Sequence, residues 1–168
     1  AELGVRIEVE ETGETFTDNA RLKATAVMQA TGLPAVADDS GLCVDALNGG
    51  PGVYSARFGG EGLDDKGRYT LLLEMLRGQT DRTAHFHTSI VCAFPNGDEL
   101  VCEGECPGTI AFAPMGEGGF GYDPVFFVPE LRKTFGQLTA EEKASVSHRG
   151  KALRAFAVAL DDYLKRNE

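Results

Sequence analysis

Thr-Ala-His-Phe-His-Thr-Ser-Ile-Val-Cys-Ala-Phe (83–94), Pro-Asn-Gly-Asp (95–98) and Glu-Leu-Val-Cys-Glu-Gly (99–104) form one continuous run. In the first part Ala84, Phe86, Thr88, Ile90, Cys92 and Phe94 recur at every second position, the period of a strand with one face buried. Asn96-Gly97 is the strongest short hairpin signal, because both residues tolerate the positive φ that a tight turn demands. The run therefore predicts an antiparallel hairpin with its return strand over 99–104. With Asn96-Gly97 as the turn, Cys92 is expected opposite Val101, not Cys102, which argues against a disulfide here.

Working outward, residues 106–113 read as a further strand, and Val5, Ile7 and Val9 alternate weakly as another over 4–9. Ala20, Ala24, Val27 and Met28 fall on one stripe of a helix over 19–30, with Thr17 or Asp18 as its cap and Gly32 with Pro34 as its stop. Val36-Ala37 enters Asp38-Asp39-Ser40 as a buried strand. A helix over 64–77 carries Tyr69, Leu72, Leu73 and Leu76 on one face. Thr139 and Glu142 form a capping box. A last helix over 148–164 is expected to bury Leu153, Phe156, Ala157, Leu160 and Leu164. Helices alternating with a hairpin imply an α/β domain whose sheet has an antiparallel part.

A chain of 168 residues can bury one real core, and a net charge of −10 disfavours a nucleic-acid surface while leaving a nucleotide substrate open. No apolar run approaches the roughly 20 residues of a membrane span, and no basic-then-apolar leader opens the sequence. A cytoplasmic protein without membrane or nucleic-acid partners is expected. Cys43, Cys92, Cys102 and Cys106 lack zinc-ligand spacing and read as reduced, mostly buried thiols. His85 and His87, His-x-His on one strand face, read as exposed or hydrogen-bonded strand residues.

Three clusters carry possible chemistry. Asp38-Asp39-Ser40 leads into a glycine-rich loop with Arg57; carboxylates at a strand end can hold Mg²⁺, and glycines admit a ligand close to the backbone. Neighbouring strand residues face opposite sides, so only one of the two aspartates can face a cleft if the strand continues; both are equally compatible with caps or turns. Glu11 is a second loop carboxylate. In Gly118-Gly119-Phe120-Gly121-Tyr122-Asp123, Phe120 between glycines is either a platform for a flat base or a core aromatic. In 141–150, Lys143 offers a point charge for phosphate, and His148 with Arg149 offers donors near a helix start or a plain cap with solvated neighbours.

Five segments in order resemble the inosine triphosphate pyrophosphatase family, which acts on non-canonical purine nucleoside triphosphates. They are Glu-Thr-Phe-Thr-Asp-Asn-Ala-Arg-Leu-Lys-Ala (14–24), Ala-Asp-Asp-Ser-Gly-Leu (37–42), Pro-Gly-Val-Tyr-Ser-Ala-Arg-Phe (51–58), Gly-Phe-Gly-Tyr-Asp-Pro-Val-Phe (119–126) and Ser-His-Arg-Gly-Lys-Ala-Leu (147–153). The resemblance implies a single pyrophosphatase domain over 1–168. Its fold would be an elongated, two-lobed mixed sheet flanked by helices with a central cleft, in a homodimer. It implies Mg²⁺-dependent hydrolysis of dITP, ITP and XTP-type nucleotides to monophosphate and pyrophosphate. Asp39 would be general base and metal ligand, and Glu11 the second metal ligand. Ser40 and Lys23 would lie near the phosphates. Phe120, Gly121, Tyr122, Asp123, Lys143, His148 and Arg149 would bind substrate, with Phe120, His148 and Arg149 at the base.

The sequence departs from the family in places. Family members open with a strand and a Thr/Ser-x-Asn-x-x-Lys segment that cradles the triphosphate. Ala1-Glu2-Leu3-Gly4 matches the residues after that unit, so the segment is expected to lie outside this sequence. The loop before Glu11 is shorter than usual, and Asp18 stands where Glu is common. Two other functions compete: a nucleotide-binding protein of the same fold with impaired catalysis, and a metal-dependent phosphatase releasing orthophosphate.

Overall fold

The computed structural model describes residues 7–167. Its elements run α1 (Phe16–Thr31), β1 (Ala35–Val44), β2 (Gly50–Pro51), α2 (Asp65–Met75), β3 (Thr83–Ala93), β4 (Glu99–Ile110), β5 (Phe126–Val128), β6 (Lys133–Thr134), α3 (Ala140–Val146) and α4 (His148–Arg166). The six strands form one sheet in the order β2-β1-β3-β4-β5-β6. Every pairing among the described residues is antiparallel. The expected α/β class is borne out.

Strand parity sorts the residues. Odd-numbered positions of β1, β3 and β4 share one face, where Ala20 and Ala24 of α1 pack on Val91 and Ala93. Even-numbered positions share the other, where Leu42, Val44, Phe86 and Cys106 meet Leu72 and Leu76 from the α2 segment, together with Phe126 and Phe135. Burial of such side chains contributes roughly 1.5–3 kcal/mol each for the larger ones. Stacked and edge-on rings, Phe86 with Phe135 at 5.6 Å and with Phe126 at 4.7 Å, hold the centre of this core.

Several expectations are corrected. The cap of α1 is Thr15, not Thr17 or Asp18; its hydroxyl accepts the Asp18 N–H at 3.1 Å. Val27 lies at the surface. The strand expected over 4–9 falls partly outside the described residues, and Ile7 to Val9 have no regular structure. The hairpin is present, but its loop is wider than two residues: Phe94 and Asp98 close it, and Cys92 faces Leu100, with Cys102 opposite Ile90. The cysteines are free. The strands expected over 99–104 and 106–113 are one strand ending at Ile110.

The last helix begins at His148 as expected but presents a different face. Ala152 is fully buried while Leu153 is 56% exposed, and Leu164 is exposed too. The reason is Gly104 of β4. A methyl group there would lie 2.7 Å from the Ala152 nitrogen and 3.1 Å from its Cβ, and would collide with the His148 carbonyl. So close a helix–sheet approach admits only small residues, and Ala152 is the one that faces the sheet.

Candidate active site

Asp39 and Asp38 sit in the middle of β1, which continues unbroken to Val44, so the two carboxylates leave opposite faces of the sheet. On the α1 face, Asp39 Oδ1 lies 3.1 Å from Lys23 Nζ, and the same ammonium lies 3.0 Å from Glu11 Oε1. Asn19, fully buried in α1, donates from Nδ2 to Asp39 Oδ2 at 3.4 Å while its Oδ1 accepts the Gly13 N–H at 2.8 Å. One asparagine thus ties the loop that carries Glu11 to the strand that carries Asp39. Asn inside a helix is disfavoured by its competing hydrogen bonds, so its place beside an apolar stripe was a legible signal that sequence reasoning passed over.

Burial raises the Asp39 pKa, and the nearby Glu11 charge adds to it; the Lys23 and Asn19 hydrogen bonds only partly oppose this. Burial works against the charge on Lys23, yet its bonds to Glu11 and Asp39 outweigh that, and its pKa is raised. Two hard carboxylates already converge on a single cationic centre. That donor set fits a divalent ion such as Mg²⁺, which takes one or two carboxylates and completes its shell with water and phosphate oxygens.

On the other face, Ser40 lines a cavity of about 520 Å³ together with Phe86, Phe120, Lys143, His148 and Arg149. That volume suits a small-molecule ligand. Gly121, Tyr122 and Asp123 line it too. Ser40 donates to Thr88 Oγ1 at 2.7 Å, and Thr88 in turn donates to the Asp39 carbonyl at 3.1 Å. Asp38 Oδ2 accepts from Arg149 Nε at 3.1 Å.

Asp123 is the hinge of the aromatic loop. It is almost fully buried, accepts the Phe120 N–H at 2.9 Å and pairs with Lys143 through the same oxygen. Gly119, at φ +75°, must be glycine, since a side chain would collide with that carboxylate. The loop so fixed leaves the Phe120 ring 62% exposed, with Lys143 Nζ 4.8 Å and Arg149 Cζ 5.5 Å from its centroid. Of the two readings of Phe120, the core aromatic is excluded by this exposure. Tyr122 is instead buried; its hydroxyl donates to the Ser55 carbonyl at 2.7 Å, and burial raises its pKa strongly.

His148 is 6% exposed and stacks on Phe86 at 4.8 Å. Burial, with lesser contributions from Arg149, Lys143 and His87, pushes its pKa down to about 3, so the ring is neutral at pH 7. Its Nδ1 is buried beside the cavity without a hydrogen-bond partner among the described residues.

The sequence-predicted residues therefore form two groups. Ser40, Phe120, Gly121, Tyr122, Asp123, Lys143, His148 and Arg149 share the cavity; Glu11, Lys23 and Asp39 share the opposite face. On the edge of β1 away from β3, β2 pairs only with Cys43 and Val44 among the described residues. The Leu42 N–H points to this side, donating to Ser55 Oγ at 2.9 Å. By strand parity the Ser40 and Asp38 N–H groups point the same way. Arg57 donates from Nη2 to the Glu11 carbonyl at 3.5 Å.

Fold and site define an α/β protein with an aromatic, cationic ligand cavity on one face of its sheet and a paired-carboxylate cation centre on the other. The chain belongs to the Ham1 family, whose model matches residues 1–159. It is 51% identical over 158 residues to the dITP/XTP pyrophosphatase of Exiguobacterium sp., covering 94% of this chain and 81% of that one. It is 54% identical over 164 residues to the dITP/XTP pyrophosphatase of Thermus thermophilus, covering 96% and 78%. The solved Ham1 protein of Staphylococcus aureus superposes with a TM-score of 0.90 at 45% identity, over 94% of this chain and 82% of that one. The resemblance read from the five segments is borne out.

Proposed function

We propose that this chain is a Mg²⁺-dependent pyrophosphatase that hydrolyses non-canonical purine nucleoside triphosphates, dITP, ITP and XTP, to the monophosphate and pyrophosphate. The reading rests above all on Glu11 and Asp39 sharing one cation beside β1, whose next residue, Ser40, lines the cavity of Phe120, His148 and Arg149. The names of the relatives support it.

A purine fits the cavity with its face on Phe120 and its edge toward His148 and Arg149. The triphosphate extends from the cavity past Ser40 toward Asp39. Glu11 and Asp39 would hold Mg²⁺, which when bound would neutralise phosphate charge and supply a more acidic water. Asp39 accepts the proton of the attacking water through the carboxylate oxygen that Lys23 does not hold. The water oxygen bonds to the α-phosphorus, the bond to the bridging oxygen breaks, and pyrophosphate leaves with the electron pair. A base whose pKa is raised by burial takes that proton more readily.

Base choice follows from donors. The terminal nitrogens of Arg149 only donate and have no protein acceptor among the described residues, since Asp38 takes Nε alone. They suit the O6 acceptor of hypoxanthine or xanthine and oppose the 6-amino donor of adenine. The same reading carries a cytoplasmic homodimer; among the described residues no helix is long and apolar enough to cross a membrane.

The test is hydrolysis of dITP, XTP, dGTP and dATP with Mg²⁺, scoring pyrophosphate and orthophosphate separately, with Asp39→Asn as control. Pyrophosphate from dITP and XTP, lost in the variant, is expected. Orthophosphate as the first product would replace this reading with a phosphatase, and tight dITP binding without turnover with a binding protein.

A further inference from the structure

The odd-numbered face of the sheet carries a second group of potential ligands that the proposed reaction does not use. His85 and His87 project from β3, and Glu105 from β4 directly opposite His87. One ligand atom from each, two imidazole nitrogens and a carboxylate oxygen, lie within 4.8 Å of one another. From this juxtaposition we propose that His85, His87 and Glu105 form a binding site for a divalent transition-metal ion, with Zn²⁺ the best fit, separate from the Glu11–Asp39 centre.

The ring of His87 is held from three sides. Phe16 of α1 stacks on it at 5.2 Å, with the planes only 15° apart. Its Nδ1 lies 2.9 Å from Glu105 Oε1, and its Nε2 lies 3.2 Å from Glu103 Oε1. Glu103 is anchored in turn by the Thr17 hydroxyl at 3.2 Å. With Nδ1 turned to a metal, Nε2–H donates to Glu103. That is the carboxylate–histidine–metal relay that fixes tautomer and ring orientation at zinc centres.

The donors then decide the ion. Two nitrogens and one oxygen on a half-exposed surface give three protein ligands with a fourth position open to water, the ligand number of open zinc sites. Imidazole nitrogen selects Zn²⁺, Cu²⁺ or Ni²⁺ over Mg²⁺, whose preference is for oxygen. Ligands about 2.0–2.2 Å from a tetrahedral zinc stand about 3.4 Å apart. The hydrogen-bonded His87–Glu105 pair is already at that scale. The Glu105 carboxylate, exposed at the surface, has only a short distance left to close toward His85.

A His–Glu ion pair on a strand surface needs only one imidazole and one carboxylate. Here a second imidazole lies on the same strand face, and an outer carboxylate is tied to helix α1. A bound ion would pin β3 to β4 beside the start of the helix that carries Asn19 and Lys23.

The test is isothermal titration of the metal-stripped 168-residue chain with Zn²⁺, with and without about a thousandfold excess of Mg²⁺. One Zn²⁺ per chain with micromolar or tighter affinity, undisturbed by Mg²⁺, is expected. His85→Gln and Glu105→Gln should each weaken it by about 100-fold or more, and Glu103→Gln by about 10-fold. Asp39→Asn and Glu11→Gln should leave it unchanged, which separates this site from the proposed Mg²⁺ centre. Glu105 is a surface residue, so that variant stays informative if a histidine variant misfolds. Wild-type affinity in both His85→Gln and Glu105→Gln, loss of binding in Asp39→Asn, or displacement by Mg²⁺ would each overturn the proposal.

Discussion

Asp38 and Asp39 are neighbours in sequence that serve opposite faces of the sheet: Asp38 Oδ2 lies 3.1 Å from Arg149 Nε on the α4 side, and Asp39 Oδ1 lies 3.1 Å from Lys23 Nζ on the α1 side. Two isosteric substitutions one residue apart should therefore separate binding from chemistry. Asp39→Asn removes the proton acceptor and is expected to lower kcat by about 10²–10⁴-fold, with substrate still bound. Asp38→Asn loosens an exposed ion pair of the kind worth at most about 1 kcal/mol. It should change KM for dITP by no more than about fivefold and leave kcat close to wild type. Steady-state kinetics of both proteins checks this; equal losses of kcat would mean that the strand does not divide the roles.

Lys23 also sets the pH at which Asp39 can act. Burial, the largest influence, raises the Asp39 pKa, and the Lys23 hydrogen bond and charge hold it down. A general base works when deprotonated, so activity rises with pH through that pKa. In Lys23→Met both of the lysine's lowering contributions vanish, while burial, the Glu11 charge and the Asn19 hydrogen bond remain. The acid limb of the kcat/KM profile should therefore move to higher pH. An unshifted or lowered acid limb would show that the limb reports another group.

His148 gives the fold its own pH dependence. Its pKa is about 3 when folded against an ordinary value of 6.5, because burial excludes the charged form. Below pH 6.5 the unfolded chain takes up a proton that the folded chain refuses, so stability falls as pH drops from 6.5 toward 3. The loss is about 2 kcal/mol by about pH 5. Urea unfolding at neutral pH and near pH 5 should show it in the wild type, and His148→Gln should lack that part of the pH difference whatever its absolute stability.

Local hydrogen-bond patterns were legible in the sequence, and contacts between distant segments were not. The capping box at Thr139 and Glu142 is present as read, because both of its bonds lie within one turn of chain. The hairpin was legible for the same reason, but not its register. That is set by the wider loop in which the Phe94 N–H donates to the Asp98 carbonyl, at 3.0 Å. The buried face of α4 was not legible, because Gly104 selects the small Ala152 there, and no apolar periodicity reports a close approach to a distant glycine. The candidate site residues were chosen from motifs, and their division between two faces depends on β1 continuing past Asp39, which turn-like Asp-Asp-Ser-Gly did not suggest.

Phe120 and Asp123, three residues apart, should respond to substitution in opposite ways. Phe120 is largely exposed, and its contacts in the protein are the two cations above its ring. Phe120→Ala removes a stacking surface worth about 1–3 kcal/mol per base, so KM for dITP should rise by about 5- to 100-fold with little change in thermal stability, and Phe120→Tyr should restore it. Asp123 is almost fully buried and holds both the Lys143 ammonium and the Phe120 N–H. Asp123→Ala leaves that ammonium without its carboxylate and the loop without its anchor, at a cost of about 3 kcal/mol. Stability and dITP affinity should fall together in that variant. If Phe120→Ala instead unfolds the protein as readily as Asp123→Ala, the ring is a structural element, and the base must find its platform elsewhere.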